Sequence, residues 1–280
     1  MALDTTNLFP WREMRGVTIN GESMYFVPKF YVKNTSYNGM PAFFVCGYPK
    51  SGYHIHPAFV NNGVVTEHGV LIGIPTAKGS YKNLVSTPSG IEYTFYNPTY
   101  ARESVDARNT DPSDADCSGW HLYNIYEHSM LQRLSFMKYA GTSDATYIRM
   151  PSFGSGSKLI FIDGISLTPD ADNNCYRCSI LNNTQTGYVD IPVSLPGAGQ
   201  YFNRMADAVG DNYDLGDVFL PKSFLSDQTG IYGSYGAYIT TETPLNYSSY
   251  ALGVHSSMFN LYITKTLSST SFYCRLAKFC

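Results

Sequence analysis

Between Ser23 and Lys33, apolar side chains alternate with others at Met24 and Phe26 and again at Phe30 and Val32, with Pro28 between the two runs. Alternation with a period of two marks a half-buried strand, and proline cannot donate to a ladder, so the stretch reads as a strand broken at Pro28. Ala42–Gly47 and Val64–Pro75 are further β-branched and aromatic runs. Lys158–Ile162, Tyr188–Ile191 and Ser271–Lys278 follow, the last with Phe272, Cys274 and Leu276 facing one way. Gly and Pro recur every few residues between these runs, so connections are short and the chain is rich in sheet. No internal repeat is visible.

One segment has helical periodicity. Tyr126, Met130, Leu134 and Met137 recur at steps of four, four and three, which predicts a helix over about 124–140 with one apolar stripe. Asn124 followed by Glu127 has capping-box spacing at its start, and Gly141 supplies a left-handed stop after it. A shorter, weaker helix is expected over about 98–108. The fold class is therefore α+β, with short mixed or antiparallel sheets, one main helix and long loops. Residues 1–18 are polar apart from Phe9 and Trp11 around Pro10, lack periodicity, and read as an arm that docks on something else. Residues 19–97 form a β-rich subregion and 98–280 the rest, with 19–280 as one compact unit the alternative.

Composition narrows the function. The chain of 280 residues is 44% hydrophobic, so it can bury a full core, but only 15% charged. It carries 24 Tyr against 2 Trp. Tyrosine is amphipathic and loses little entropy when ordered, so such a surface suits protein or glycan contacts. The net charge is −3 and Lys/Arg are not clustered, which excludes a nucleic-acid partner, because phosphate neutralisation needs several grouped cations. No apolar run approaches the roughly 20 residues of a membrane span. The opening segment has no basic start followed by an apolar stretch, so no secretory leader is expected and the cysteines should be reduced. Low charge with exposed aromatics favours assembly into an oligomer or particle.

The window Ile231–Tyr273 holds seven Tyr, eight Ser and six Thr. This resembles the composition of binding loops, in which Tyr supplies rigid contact area and Ser/Thr adaptable hydrogen bonds. Gly230, Gly233 and Gly236 keep the backbone irregular, so Tyr232, Tyr235, Tyr238 and Tyr247 are the candidate partner-binding residues, projecting from loops. Tyr273, on the last strand, is expected to be structural. Loops around 76–90 or 195–217 are the next candidates for a binding surface.

Other motifs carry less. Cys175 and Cys178 have metal or redox spacing, but a zinc site needs four ligands and no second such pair exists, so they read as structural thiols. His54 and His56 share a face if extended, yet no carboxylate or third His is near them in sequence, so they too read as structural. Asp111, Asp114 and Asp116, and Asp170 with Asp172, hint at calcium but lack the Gly and distal Glu of a calcium loop and read as turns. No nucleophile elbow, phosphate loop or zinc-protease motif is present. The expectation is no catalytic residue, no metal and no cofactor.

Several segments taken in order resemble a known family. Val27-Pro28-Lys29-Phe30-Tyr31, Gly52 to Gly63 with its His56-Pro57-Ala58-Phe59 centre, and Val70 to Gly73 are similar to successive segments of bacteriophage tail and collar proteins. Gly119-Trp120 running through Leu131-Gln132-Arg133-Leu134 to Thr142 resembles that family's helix, and Tyr273 to Ala277 its closing strand. The resemblance implies a C-type-lectin-like fold, related to phage tropism determinants and formylglycine-generating enzymes. It further implies a homotrimer at the virion surface, assembled in the host cytoplasm, with a recognition face made from late loops. On this resemblance the chain is a receptor-binding module of the tail that docks on other virion proteins through residues 1–18 and contacts a host-surface protein or glycan. The alternatives are a structural collar, head-fibre or capsid-decoration protein, and a formylglycine-generating-type oxidase. The Glu-Pro-Asn, Gln-Pro-Asp and Trp-Asn-Asp triplets of calcium-dependent sugar binding are absent.

Overall fold

The computed structural model describes residues 4–37, 40–95, 97–111, 118–139, 159–170, 172–173, 175–196, 200–202, 217–218, 224–225, 238–241, 250–255, 260–265 and 272–280. Its sheets are built from short, mostly antiparallel strands, and two α-helices accompany them among the described residues.

The first sheet opens with a hairpin of Arg15–Ile19 and Glu22–Pro28. Its two-residue turn is Asn20-Gly21, with φ of 49° and 80°. Both central residues of a type I′ turn need positive φ, which Asn and Gly adopt readily, and this turn matches the twist of the flanking strands. Glu22–Pro28 then pairs with Gly69–Gly73, which pairs with Leu276–Phe279, which pairs with Trp120–Leu122, all antiparallel. The carboxyl-terminal strand is thus interior to the sheet, between segments some 200 and 150 residues before it. Strands from both sides of residue 98 share this sheet and its core. The break at Pro28 is present, since the next strand is Tyr31–Tyr37, paired with Met40–Cys46.

All five residues of Gly69–Gly73 are buried, because both faces of the sheet are covered. Val27, Val70, Ile72 and Ala277 face one core, shared with Tyr126, Met130 and Leu134 of helix α2 (Ile125–Tyr139) and with Leu167, Tyr176 and Ile180. Met24, Leu71 and Leu276 face the other, shared with Ala101 and Val105 of helix α1 (Pro98–Asn109) and with Phe161 and Phe272. A strand covered on both faces reads as a continuous apolar run, as Val70-Leu-Ile does.

Helix α2 starts as its capping box predicts. Asn124 Oδ1 accepts from the amides of Tyr126 and Glu127 at 3.0 and 3.1 Å, and Glu127 Oε2 accepts from the Asn124 amide at 2.9 Å. The single apolar stripe is corrected, however. Every residue from Ile125 to Ser135 is buried, including Glu127, His128, Gln132 and Arg133, so the helix is packed on all sides. Met137 is only partly buried, and Gly141 lies outside the described residues. Helix α1 covers the expected segment. Asn97 Oδ1 caps the Thr99 amide at 3.0 Å, and Pro98 takes the first helical position, where its missing N–H costs nothing.

The second sheet is larger and mixed. It carries Leu159–Phe161 beside Phe272–Tyr273 in parallel and Tyr250–His255 antiparallel on the other side, then Asn260–Lys265 and Tyr238–Thr241. Ile165–Asp170, Cys175–Leu181 and Tyr188–Pro196 branch from it as an antiparallel meander. The amino-terminal segment turns back onto the body. Phe9, Trp11 and Met14 pack with the first core, and Arg15–Ile19 is a strand of the first sheet.

Candidate functional site

The late part of the chain is tied to the body by a buried polar network. Asp217 is fully buried, and its Oδ2 lies 2.6 Å from Nε2 of the half-exposed His54. Asn34 Nδ2 donates to Asp217 Oδ1 at 3.2 Å, and Asn34 Oδ1 accepts from Arg133 Nη1 at 3.0 Å. Arg133 Nη2 reaches the Val218 carbonyl at 3.4 Å, and its guanidinium stands over the Phe43 ring at 4.6 Å. Residues 217–218 are thereby clamped between the strand Tyr31–Tyr37 and helix α2.

Titration behaviour follows from this geometry. The hydrogen bond to Asp217 raises the pKa of His54, against the effect of its partial burial. Burial alone would raise Asp217, but the His54 hydrogen bond and the nearby His56 and Arg133 hold it below the usual carboxylate range. Burial lowers Arg133 to about 10, opposed by Asp217, and lowers the fully buried His56 to about 4. His56 Nδ1 accepts from the Ala58 amide at 3.1 Å and so caps the short 3₁₀ turn Pro57–Phe59. The sequence reading of His54 and His56 saw no carboxylate nearby. The chain supplies one, Asp217, from 163 residues away.

Of the four nominated tyrosines, Tyr232, Tyr235 and Tyr247 lie outside the described residues. Tyr238 opens the strand Tyr238–Thr241 and pairs with Asn260 and Tyr201, so its backbone is part of a sheet and not of a loop. Tyr273 pairs with Thr94 and Ile160 and is half-buried.

Another aromatic surface, in the 76–90 region, has clear geometry. Tyr81 and Tyr100 are 45% and 41% exposed, with rings edge to face at 6.0 Å. Tyr81 Oη donates to Glu103 Oε2 at 2.5 Å, and the Lys82 amide donates to Ser104 Oγ at 3.2 Å. The hairpin tip is therefore fixed to α1 and its tyrosine ring is ordered before any partner arrives. Preordering lowers the entropy cost of binding. In the sequence this segment is only one of the candidate loops, around 76–90, and nothing local shows that α1 lies beside it.

Cys175 and Cys178 both lie on the extended strand Cys175–Leu181, Cys175 half-buried and Cys178 buried. Extended residues three apart lie about 10 Å apart, too far for a disulfide between them. Burial pushes the Cys274 thiol up to about 12 and the Cys280 thiol to about 11, so neither supplies a thiolate near neutrality. Cys117, Asp114 and Asp116 lie outside the described residues. Asp170 accepts from the amide and side chain of Asn173 at 3.3 and 3.2 Å, which closes a turn. Among the described residues no three or more His, Cys, Asp or Glu side chains gather as a metal would need, and no helix is long and apolar enough to cross a membrane.

Comparison with protein-family models, with curated proteins and with solved structures finds no match to this chain.

Proposed function

We propose that the chain is a non-enzymatic recognition module of a bacteriophage virion, built on a C-type-lectin-like fold and presenting its late segments to a receptor. The observation that supports this most is how the family-like segments come together. Val27–Tyr31, Val70–Gly73, Gly119–Leu122 and Tyr273–Ala277 are far apart in sequence, yet all contribute to or adjoin one five-stranded sheet. The His56–Phe59 segment packs with the same core as helix α2. A closing strand inserted beside early strands, with later segments extending from that base, is the arrangement expected of such a fold. Scaffolds of this kind place recognition on loops held by a rigid sheet, and residues 217–218 of the late chain are anchored to the body through Asp217.

Antibody against the chain, applied to virus particles from the source material, tests the reading. Gold at a distal tail tip is expected. Gold at the neck or on the capsid instead assigns a collar or decoration role, and no label on any particle sinks both.

A further inference from the structure

Where the amino-terminal segment folds back over the first sheet, an open cleft of about 620 Å³ remains between Phe9–Arg15, the strand Glu22–Pro28 and the turns at Gly47 and Glu67. That volume falls within the range of small-ligand sites, roughly 300–1,000 Å³. Its walls combine two features. Phe9, Phe26 and Tyr48 contribute aromatic surface. The end of the Phe9 ring packs close to Gly47, where a Cβ would come within 3.2 Å of it, so a larger residue there would push the ring aside.

The second feature is its charge. Lys29 Nζ donates to the carbonyls of Thr66 and Glu67 at 2.9 and 2.7 Å, and Arg15 Nη1 donates to the Glu13 carbonyl at 3.1 Å, its guanidinium 5.1 Å from the Phe26 centroid. Both cations are held in place by neutral main-chain oxygens and stacking, and neither is ion-paired with a carboxylate among the described residues. Glu13 pairs with Arg12 at 3.3 Å and Glu67 lies 3.7 Å from His68, so the lining carries three cations, Arg12, Arg15 and Lys29, against two carboxylates. This net positive lining suits an anionic group. Glu13 and Glu67 at the rim accept hydrogen bonds from hydroxyl groups. Aromatic walls suit a flat ring with an apolar C–H face.

We infer that this cleft binds an acidic saccharide carrying one carboxylate per ring, of the hexuronate class, with the carboxylate between Arg15 and Lys29 and a sugar face against Phe9 or Tyr48. The site is separate from the late tyrosines, and its test needs neither a host cell nor a virus particle.

Calorimetric titration of the full chain with trigalacturonate, with neutral galactotriose and with inorganic phosphate decides the matter. Saturable binding of trigalacturonate alone is expected. Arg15→Gln should weaken it about tenfold or more, the loss of a charged hydrogen bond, and Tyr48→Ala should weaken it less. Ile91→Ala, an exposed position outside the cleft, should leave it unchanged. Lys29→Gln also removes two links to the Thr66–Glu67 turn, so its melting temperature is measured alongside and Arg15→Gln carries the decision. Equal binding of galactotriose, binding of phosphate without the sugar, no saturable binding of trigalacturonate, or an Arg15→Gln variant that binds like the parent would each overturn the assignment. Failure here leaves the recognition reading standing, since that is tested on particles.

Discussion

Nε2 of His54 lies 2.6 Å from Oδ2 of Asp217, a fully buried carboxylate 163 residues further along the chain. Asn34 bridges the same carboxylate to the buried guanidinium of Arg133. Asp217 supplies charge that opposes the cost of burying Arg133 and also accepts from Asn34, whereas His54 is only half-buried, so the carboxylate matters more than the imidazole. Asp217→Ala should therefore cost about 3–5 kcal/mol. His54 is half-exposed and solvent screens its contribution, so His54→Ala should cost about 1 kcal/mol or less. Urea unfolding of the two variants checks both values. Equal losses would mean that Asp217 is not the centre of the clamp.

The same network predicts a stability maximum near neutrality. His54 has a pKa raised above 6.5 by Asp217, so its stabilisation is present below 6.5 and is lost as pH rises through the folded value. His56 has a folded pKa of about 4, so its contribution is present above 6.5 and is lost as pH falls toward 4. Asp217 affects stability only below the ordinary carboxylate value of 3.8. The network's contribution should peak near pH 6.5. His121, raised by the buried Glu127 against its own burial, adds to the alkaline decline. His54→Gln should flatten part of the alkaline limb, and His56→Gln the acid limb. Unfolding midpoints from pH 4.5 to 9 read this directly, and an unaltered acid limb in His56→Gln refutes the assignment.

Leu134 has no exposed surface and sits in the first core beside Met130 and Tyr126. Leu134→Ala should open a cavity and cost on the order of 2–5 kcal/mol. A melting temperature unchanged within a degree or two would contradict that packing.

Substitutions of the late tyrosines should separate binding from stability. If the loops recognise a partner, alanine at Tyr232, Tyr235 or Tyr247 should weaken binding by about 1–3 kcal/mol and leave the melting temperature unchanged. Tyr238 opens a strand of the second sheet, so its alanine variant should also melt earlier. Tyr273→Ala should lower stability without affecting binding. Binding of labelled protein to host cells, with melting curves alongside, provides both readouts. Lower melting with intact binding in all four late variants would place these rings in the core or a subunit interface.

Low charge, abundant tyrosine and the family resemblance together predict a homotrimer. Light scattering of the purified chain should give about three times its 31.1 kDa mass. A single 31.1 kDa species at micromolar concentration counts against the trimer.

What the sequence determined by itself were features whose causes lie within a few residues. The Asn124–Glu127 box marks the start of α2 because a cap is made by side chains two or three positions from the amides they satisfy. The runs around Met24, Val70 and Leu276 mark strands because alternation and apolar continuity are properties of an extended backbone. The tertiary structure alone decided which elements meet. The burial of α2 on every side followed from two sheets and the Asp217 segment closing around it, and Arg133 gave no local sign of Asn34 or Val218. His54 finds its carboxylate, Tyr81 finds α1 and the Phe9 ring finds Gly47 only after loops of tens to hundreds of residues have closed. Such contacts depend on the packing of whole elements, for which neighbouring residues carry no periodic or spacing signal.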